Sequence, residues 1–246
     1  MPVLTMNYYS ESVQKEFGMN VILPSDPKAK PPYFTLYQLH GLSDDYTAWM
    51  RWTSIERYVH GLPLVVVMPD TERGWYTNAV EGYRYEDHIM KDTIGVIERF
   101  LPVRKDRRGR AIGGLSMGGY GSMKLALKYP DVFGSVYSHS SAFFRGHQIT
   151  GRDNEETIRI FGKDPTGGPN DIFALAEKVK KSRMPAIAFD CGTEDFLIEA
   201  NRSFHKHLKS LKIKHQYREF PGIHEWSYWD EHVQQAIKFH RKNLGF

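Results

Sequence analysis

Residues Gly114-Leu115-Ser116-Met117-Gly118 set a hydroxyl between two glycines in the pattern G-x-S-x-G. The flanks give the pattern mechanical meaning. A β-type run, Ala111 to Leu115, precedes it, and a helical stretch, Gly119 to Tyr129, follows and stops at Pro130. On so sharp a strand-to-helix turn the serine takes strained backbone angles, and glycines are required beside it because side chains there would collide. The turn lifts Ser116 Oγ clear of the sheet. It also aims the first free N–H groups of the next helix at any oxyanion formed beside the serine. The chemistry that fits is nucleophilic attack on an acyl carbon.

A serine hydroxyl is a weak nucleophile at neutral pH, so it needs a base, and the base needs an orienting carboxylate. On this kind of turn the expected chain order is Ser, then acid, then His, each on a loop after a strand. Of the eleven histidines, His224 fits best: Gln216 to Phe220 reads as a strand, Pro221 and Gly222 turn the chain, and an amphipathic helix follows. His139, in Ser138 to Ser141 after the next strand, is the second candidate. His205, His207, His215, His232 and His240 fall in helical or charged stretches and read as solvated or packing residues. For the acid, the loop after Ala186 to Cys191 offers Glu194 and Asp195. Asp195 is preferred because it lies further out on that loop, while Asp190 belongs to the strand. The second oxyanion donor is expected in Leu39-His40-Gly41-Leu42, where Gly41 permits a tight reversal and the Leu42 N–H can face that of Met117. His40 is expected to bond neighbouring loops. Because His224 must be neutral to act as base, hydrolysis is expected to fall below about pH 6 to 7.

Positioning such residues takes strands. Tyr33 to Leu39 and Leu64 to Met68 read as strands buried on two faces, as do Ala111 to Leu115 and Ala186 to Cys191. Helical stripes lie between and after them: Ile89, Ile94, Ile97 and Leu101, then Trp226, Trp229, Val233, Ile237 and His240. The alternation implies an α/β domain, a mainly parallel sheet with helices on both faces. Thr5 to Ser10, Ser12 to Phe17 and Met19 to Leu23 read as extended segments of an antiparallel N-terminal meander. Residues 143–184, with one helix from Asp171 to Lys180 capped by Asn170 or Asp171, read as an insertion over the C-terminal edge of the sheet, a lid or substrate wall.

The chain has 246 residues, is 41% apolar and 25% charged, and shows no repeat or long linker, so a single domain 1–246 is expected. Its longest apolar run, Leu64 to Met68, is far too short to span a bilayer. The net charge of +4 is small and scattered. The dense basic stretch Arg104 to Arg110 reads as a solvated turn, so no nucleic-acid partner is expected. One cysteine, Cys191, excludes an internal disulfide, and no basic-then-apolar leader opens the chain; a cytoplasmic location is the expectation. No metal-ligand spacing or phosphate loop is present, so no cofactor and no metal are expected. An exposed edge strand of the meander offers a route to a homo-oligomer.

With Leu39-His40-Gly41-Leu42, Gly114 to Gly121, Gly192-Thr193-Glu194-Asp195 and His224-x-Trp226-x-x-Trp229 in order, the sequence resembles the esterase D-like family of α/β-hydrolases. That family includes tributyrin-type carboxylesterases, S-formylglutathione hydrolases, and feruloyl and acetylxylan esterases. The similarity runs over nearly the whole chain. It implies Ser116 as nucleophile, Asp195 as acid and His224 as base, with Leu42 and Met117 as oxyanion donors. By the same resemblance Trp75-Tyr76-Thr77-Asn78 and Tyr85-Glu86-Asp87 line the acyl or alcohol side of the pocket. Gly41, Trp75, Tyr76 and Trp226 are the expected substrate-binding residues. The expected activity is hydrolysis of short-chain acyl or aryl esters, carbohydrate-linked ones included. A thioesterase for S-formylglutathione is the alternative within that chemistry. A non-catalytic binding domain is the alternative outside it, but such a domain would be free to lose any of the three catalytic residue types.

Overall fold

A computed structural model describes residues 1–150 and 155–246. Eight strands form one sheet in the order β1-β2-β4-β3-β5-β6-β7-β8. They are β1 (Val3–Ser10), β2 (Lys15–Ile22), β3 (Phe34–Leu39), β4 (Leu64–Pro69), β5 (Arg110–Leu115), β6 (Ser135–His139), β7 (Ala186–Gly192) and β8 (His215–Phe220). β1 and β2 pair antiparallel, β2 runs antiparallel to β4, and every pairing from β4 across to β8 is parallel.

The strands β3, β4 and β5 are apolar runs because both of their faces are covered. Alternate residues part to opposite sides. Tyr37, Leu39, Val65, Val67 and Ile112 join one core, and Leu36, Leu64, Val66, Met68 and Ala111 join the other. The first core is closed by helices α2 (Ile94–Phe100), α3 (Ser116–Lys128), α5 (Ile172–Lys178) and α6 (Ile198–Ser210); the second by α1 (Ala48–Trp52) and α7 (Trp226–Leu244). A further helix, α4 (Glu155–Phe161), lies in the 143–184 segment, as does the short helix Gly146–Thr150.

Two expectations change. The N-terminal meander has two strands rather than three extended segments, because β2 runs unbroken through Gly18. That glycine does not interrupt the strand: the Tyr46 ring fills the space where its Cβ would lie, 2.7 Å away. The stripe of Ile89, Ile94 and Ile97 is not a regular α-helix either. Its five-residue first gap is a π turn, His88–Thr93, which keeps all three isoleucines on the buried face before α2 begins. Within Arg104 to Arg110 the guanidinium of Arg110 pairs with Glu98, and that of Arg107 donates to the carbonyls of Phe133, Arg183 and Met184.

In the 143–184 segment, α5 is capped by Asp171, whose carboxylate accepts from Phe173 and Ala174 N–H. Residues 151–154 of that segment lie outside the described residues.

Candidate active site

β5 ends at Leu115, and α3 begins at Ser116 itself, three residues earlier than the periodicity predicts. Ser116 has φ of +52°, a left-handed conformation costing on the order of 1 to 3 kcal/mol for a residue with a side chain. The two glycines make it possible. A Cβ on Gly114 would stand 2.6 Å from the Gly118 carbonyl oxygen, and one on Gly118 would stand 2.5 Å from that of His40. The first turn of α3 therefore rests directly on the end of β3.

His224 sits on the turn after β8. Its Nδ1 donates to Asp195 Oδ2 at 2.8 Å, which leaves the Nε2 lone pair facing the Ser116 hydroxyl at 3.1 Å. Asp195 follows β7 and is almost wholly buried. Burial pushes its carboxyl upward, but the hydrogen bonds from His224 and from Leu197 N–H outweigh that and hold it below the ordinary carboxylate value. The imidazole meets Trp229 edge-on, ring centres 4.9 Å apart, and the tilted ring of Phe196 at 4.5 Å. Glu194, the rejected acid, faces solvent and accepts from the Gly222 N–H at 2.7 Å.

The loop after β3 is fixed by His40. Thr71 N–H donates to His40 Nε2 at 3.1 Å, so the ring proton stays on Nδ1, which donates to the Gly41 carbonyl at 2.7 Å. In a trans peptide the N–H points opposite to the preceding carbonyl, so Leu42 N–H is turned away from His40. It meets no acceptor among the described residues. Met117 is the second residue of α3, where the backbone N–H has no partner inside the helix. The Gly41 N–H is held in turn by Asp44 Oδ2 at 3.1 Å.

His139, the second candidate base, is structural, and so is His240, expected to be a solvated or packing residue. His139 is fully buried, its Nδ1 donating to Asp190, which also accepts from the hydroxyls of Tyr137 and Tyr228. His240 is fully buried too, bonded to Ser135, and burial drives its pKa down to about 3.

The sequence matches the Esterase family over residues 10–240. The chain belongs to the esterase family. An acetyl esterase of Caldicellulosiruptor saccharolyticus is 30% identical, over 98% of this chain and 99% of that protein. Among solved structures, a substrate-bound fluorophosphonate-binding serine hydrolase of Staphylococcus aureus is 32% identical. It covers 97% of this chain and 98% of its own, with a TM-score of 0.89. An S-formylglutathione hydrolase of the same organism is 31% identical, with TM-score 0.87 and the same coverage. A ferulic acid esterase is 25% identical over 99% and 98%, with TM-score 0.84. This esterase thus has the α/β-hydrolase fold and is a serine hydrolase of carboxylic esters.

Within the esterase, the expected pocket residues separate. Tyr76 does not line a pocket: it is fully buried, and its hydroxyl donates to the His40 carbonyl at 2.9 Å, which braces the end of β3. Tyr85, Glu86 and Asp87 are likewise buried, Glu86 beneath α3 against Lys124 at 2.8 Å. Trp75 is half-buried, edge-on to Tyr120 and Phe161 at 5.7 Å each, with its indole N–H unpaired among the described residues. Trp226 is half-buried and packs edge-on against Trp49 and Trp229. Gly41 is buried, with both backbone polar groups in use. Sequence reasoning missed the Glu86–Lys124 pair, whose members lie 38 residues apart with no local signal.

Proposed function

We propose that the chain hydrolyses short-chain acyl and aryl esters through an acyl-enzyme on Ser116. The observation that carries this reading is the unbroken chain Ser116 Oγ–His224–Asp195, at 3.1 and 2.8 Å. Ser116 Oγ bonds to the ester carbonyl carbon while its proton passes to His224 Nε2. The tetrahedral intermediate collapses as the carbon–oxygen bond to the alcohol breaks and that proton goes to the leaving oxygen. Water then enters by the same route and releases the acid. Asp195 holds the imidazole tautomer and stabilises the imidazolium. The N–H groups of Leu42 and Met117 receive the oxyanion.

The acyl or alcohol wall is Trp75, with Gly41 and Trp226 shaping the opposite loops. Residues 143–184 act as its lid: Phe161 packs on Trp75, Arg73 forms a two-pronged ion pair with Glu156, and Val80 N–H bonds the Ile160 carbonyl. Acetyl and feruloyl esters, including carbohydrate-linked ones, are the substrates favoured by the similarity to an acetyl esterase and a ferulic acid esterase. We also propose pairing of two copies across the free β1 edge, where Val3, Leu4 and Tyr9 are exposed, and a cytoplasmic location, which suits the one buried free thiol, Cys191. Among the described residues no helix is long and apolar enough to cross a membrane. The test is Ser116→Ala against a panel of p-nitrophenyl esters, with S-formylglutathione alongside. Turnover is expected to vanish while the circular dichroism spectrum stays native. Retained turnover would remove Ser116 from the mechanism.

A further inference from the structure

The position of the base dictates where the alcohol half of the ester lies. After attack, His224 Nε2 must give its proton to the departing oxygen, so that oxygen comes within hydrogen-bond reach of Nε2. An exposed side chain that flanks the imidazole is the first place to look for a contact with the leaving group. Phe196 is such a side chain. Its ring centre is 4.5 Å from that of His224, yet the residue is 76% exposed, more than any other large apolar residue among the described ones. Ile223, adjoining His224 in the chain, is 50% exposed. Two open apolar side chains thus sit next to the acid and the base of the triad, where neither helps to build the core.

The charge on the adjoining loops has one sign. The loops that carry the triad acid, the base and the oxyanion turn, residues 192–198, 221–227 and 41–46, hold Glu194, Asp195, Glu225, Asp44 and Asp45 and no Lys or Arg. Glu194 and Glu225 face solvent. The N–H of Gly222 holds the Glu194 carboxyl below its ordinary value, so it is ionised at neutral pH.

We infer that Phe196 and Ile223 form an apolar lip for the leaving group, and that the acidic loops around it favour esters of neutral aryl or alkyl alcohols over substrates whose leaving group is anionic. The inference rests on the ester-hydrolase reading above. It also separates that reading from a glutathione thioesterase, because a glutathione leaving group carries net negative charge.

The experiment keeps the acyl group as acetyl and varies the alcohol: phenyl acetate, ethyl acetate and 4-acetoxybenzenesulfonate, each rate divided by that of hydroxide-catalysed hydrolysis. Phe196→Ala is expected to lower the phenyl-to-ethyl ratio of kcat/KM about three- to tenfold, the worth of one aromatic contact, and Phe196→Leu to restore part of it. Since Phe196 is mostly exposed, neither change opens a cavity. The wild-type enzyme is expected to disfavour the sulfonate relative to phenyl acetate, by a margin that shrinks as salt is raised. If Phe196 merely props His224, both esters slow equally and the ratio stays, which overturns the lip. Equal wild-type kcat/KM for sulfonate and phenyl acetate, after that division, overturns the charge selection. A wild-type enzyme that turns over none of the three esters takes the ester-hydrolase reading down first, and the lip with it.

Discussion

Asp195 works by keeping its charge while buried. Because its carboxyl is held below the ordinary value, it stays ionised at neutral pH and keeps accepting the His224 Nδ1 proton. Asp195→Asn keeps the shape but offers His224 the wrong partner, and kcat is expected to fall about 10⁴-fold with little change in KM, read from steady-state kinetics. A fall below tenfold would mean that the carboxylate does not orient the base. His40 acts one residue removed from the reaction, by clamping the Gly41 carbonyl and so aiming the Leu42 N–H. His40→Ala is expected to cost kcat about ten- to a hundredfold, up to the loss of one oxyanion donor. An unchanged kcat would show that the loop holds its shape without the clamp.

At the scale of elements, one helix holds both Ser116, the proposed nucleophile, and the brace beneath it. Lys124, on α3 two turns beyond Ser116, is fully buried and donates to Glu86 at 2.8 Å, to the Tyr76 carbonyl at 2.6 Å and to Thr77 Oγ1 at 2.9 Å. It thereby pins the consecutive left-handed residues Trp75 and Tyr76, with φ of +51° and +55°, to the nucleophile helix. The two partners are not equivalent. Glu86 also accepts from Lys128 and from the Tyr129 hydroxyl, so it keeps company if Lys124 is lost. Lys124 has no second carboxylate among its hydrogen-bond partners. Glu86→Gln should therefore destabilise by about 3 to 5 kcal/mol, and Lys124→Met by less, because only the first strands a buried charge. Urea denaturation of both variants gives the order, and a reversed order would contradict this account of the pair.

For the molecule as a whole, the same carboxylate sets the response to acid. Despite burial, which pushes it up, Lys124 and its neighbours hold the Glu86 pKa at about 2 against 4.5 when free. The unfolded chain then binds the extra proton between those values, so this stabilisation is complete above pH 4.5 and lost as pH falls toward 2. It amounts to about 3 kcal/mol. Thermal melts at pH 6 and pH 3 should show a smaller drop in Tm for Glu86→Gln than for the wild type, and equal drops would disconnect Glu86 from acid unfolding. The sheet and the positions of the proposed triad were legible in the sequence for a local reason: each of Ser116, Asp195 and His224 follows its own β-type run, and Gly114, Gly118, Gly41 and Gly222 mark the turns. Tyr76 was misread because a tyrosine in a loop looks the same whether it faces a pocket or the underside of a helix. The Glu86–Lys124 and His139–Asp190 pairs were invisible because their partners meet only through the fold. What the whole fold achieves is to bring Ser116 to His224, 108 residues further along the chain. Reaction with a fluorophosphonate, followed by intact mass and peptide mapping, reads that meeting directly. One adduct per chain is predicted, on Ser116, absent in Ser116→Ala and formed far more slowly in His224→Ala; an adduct on another residue, or undiminished labelling without His224, would contradict it.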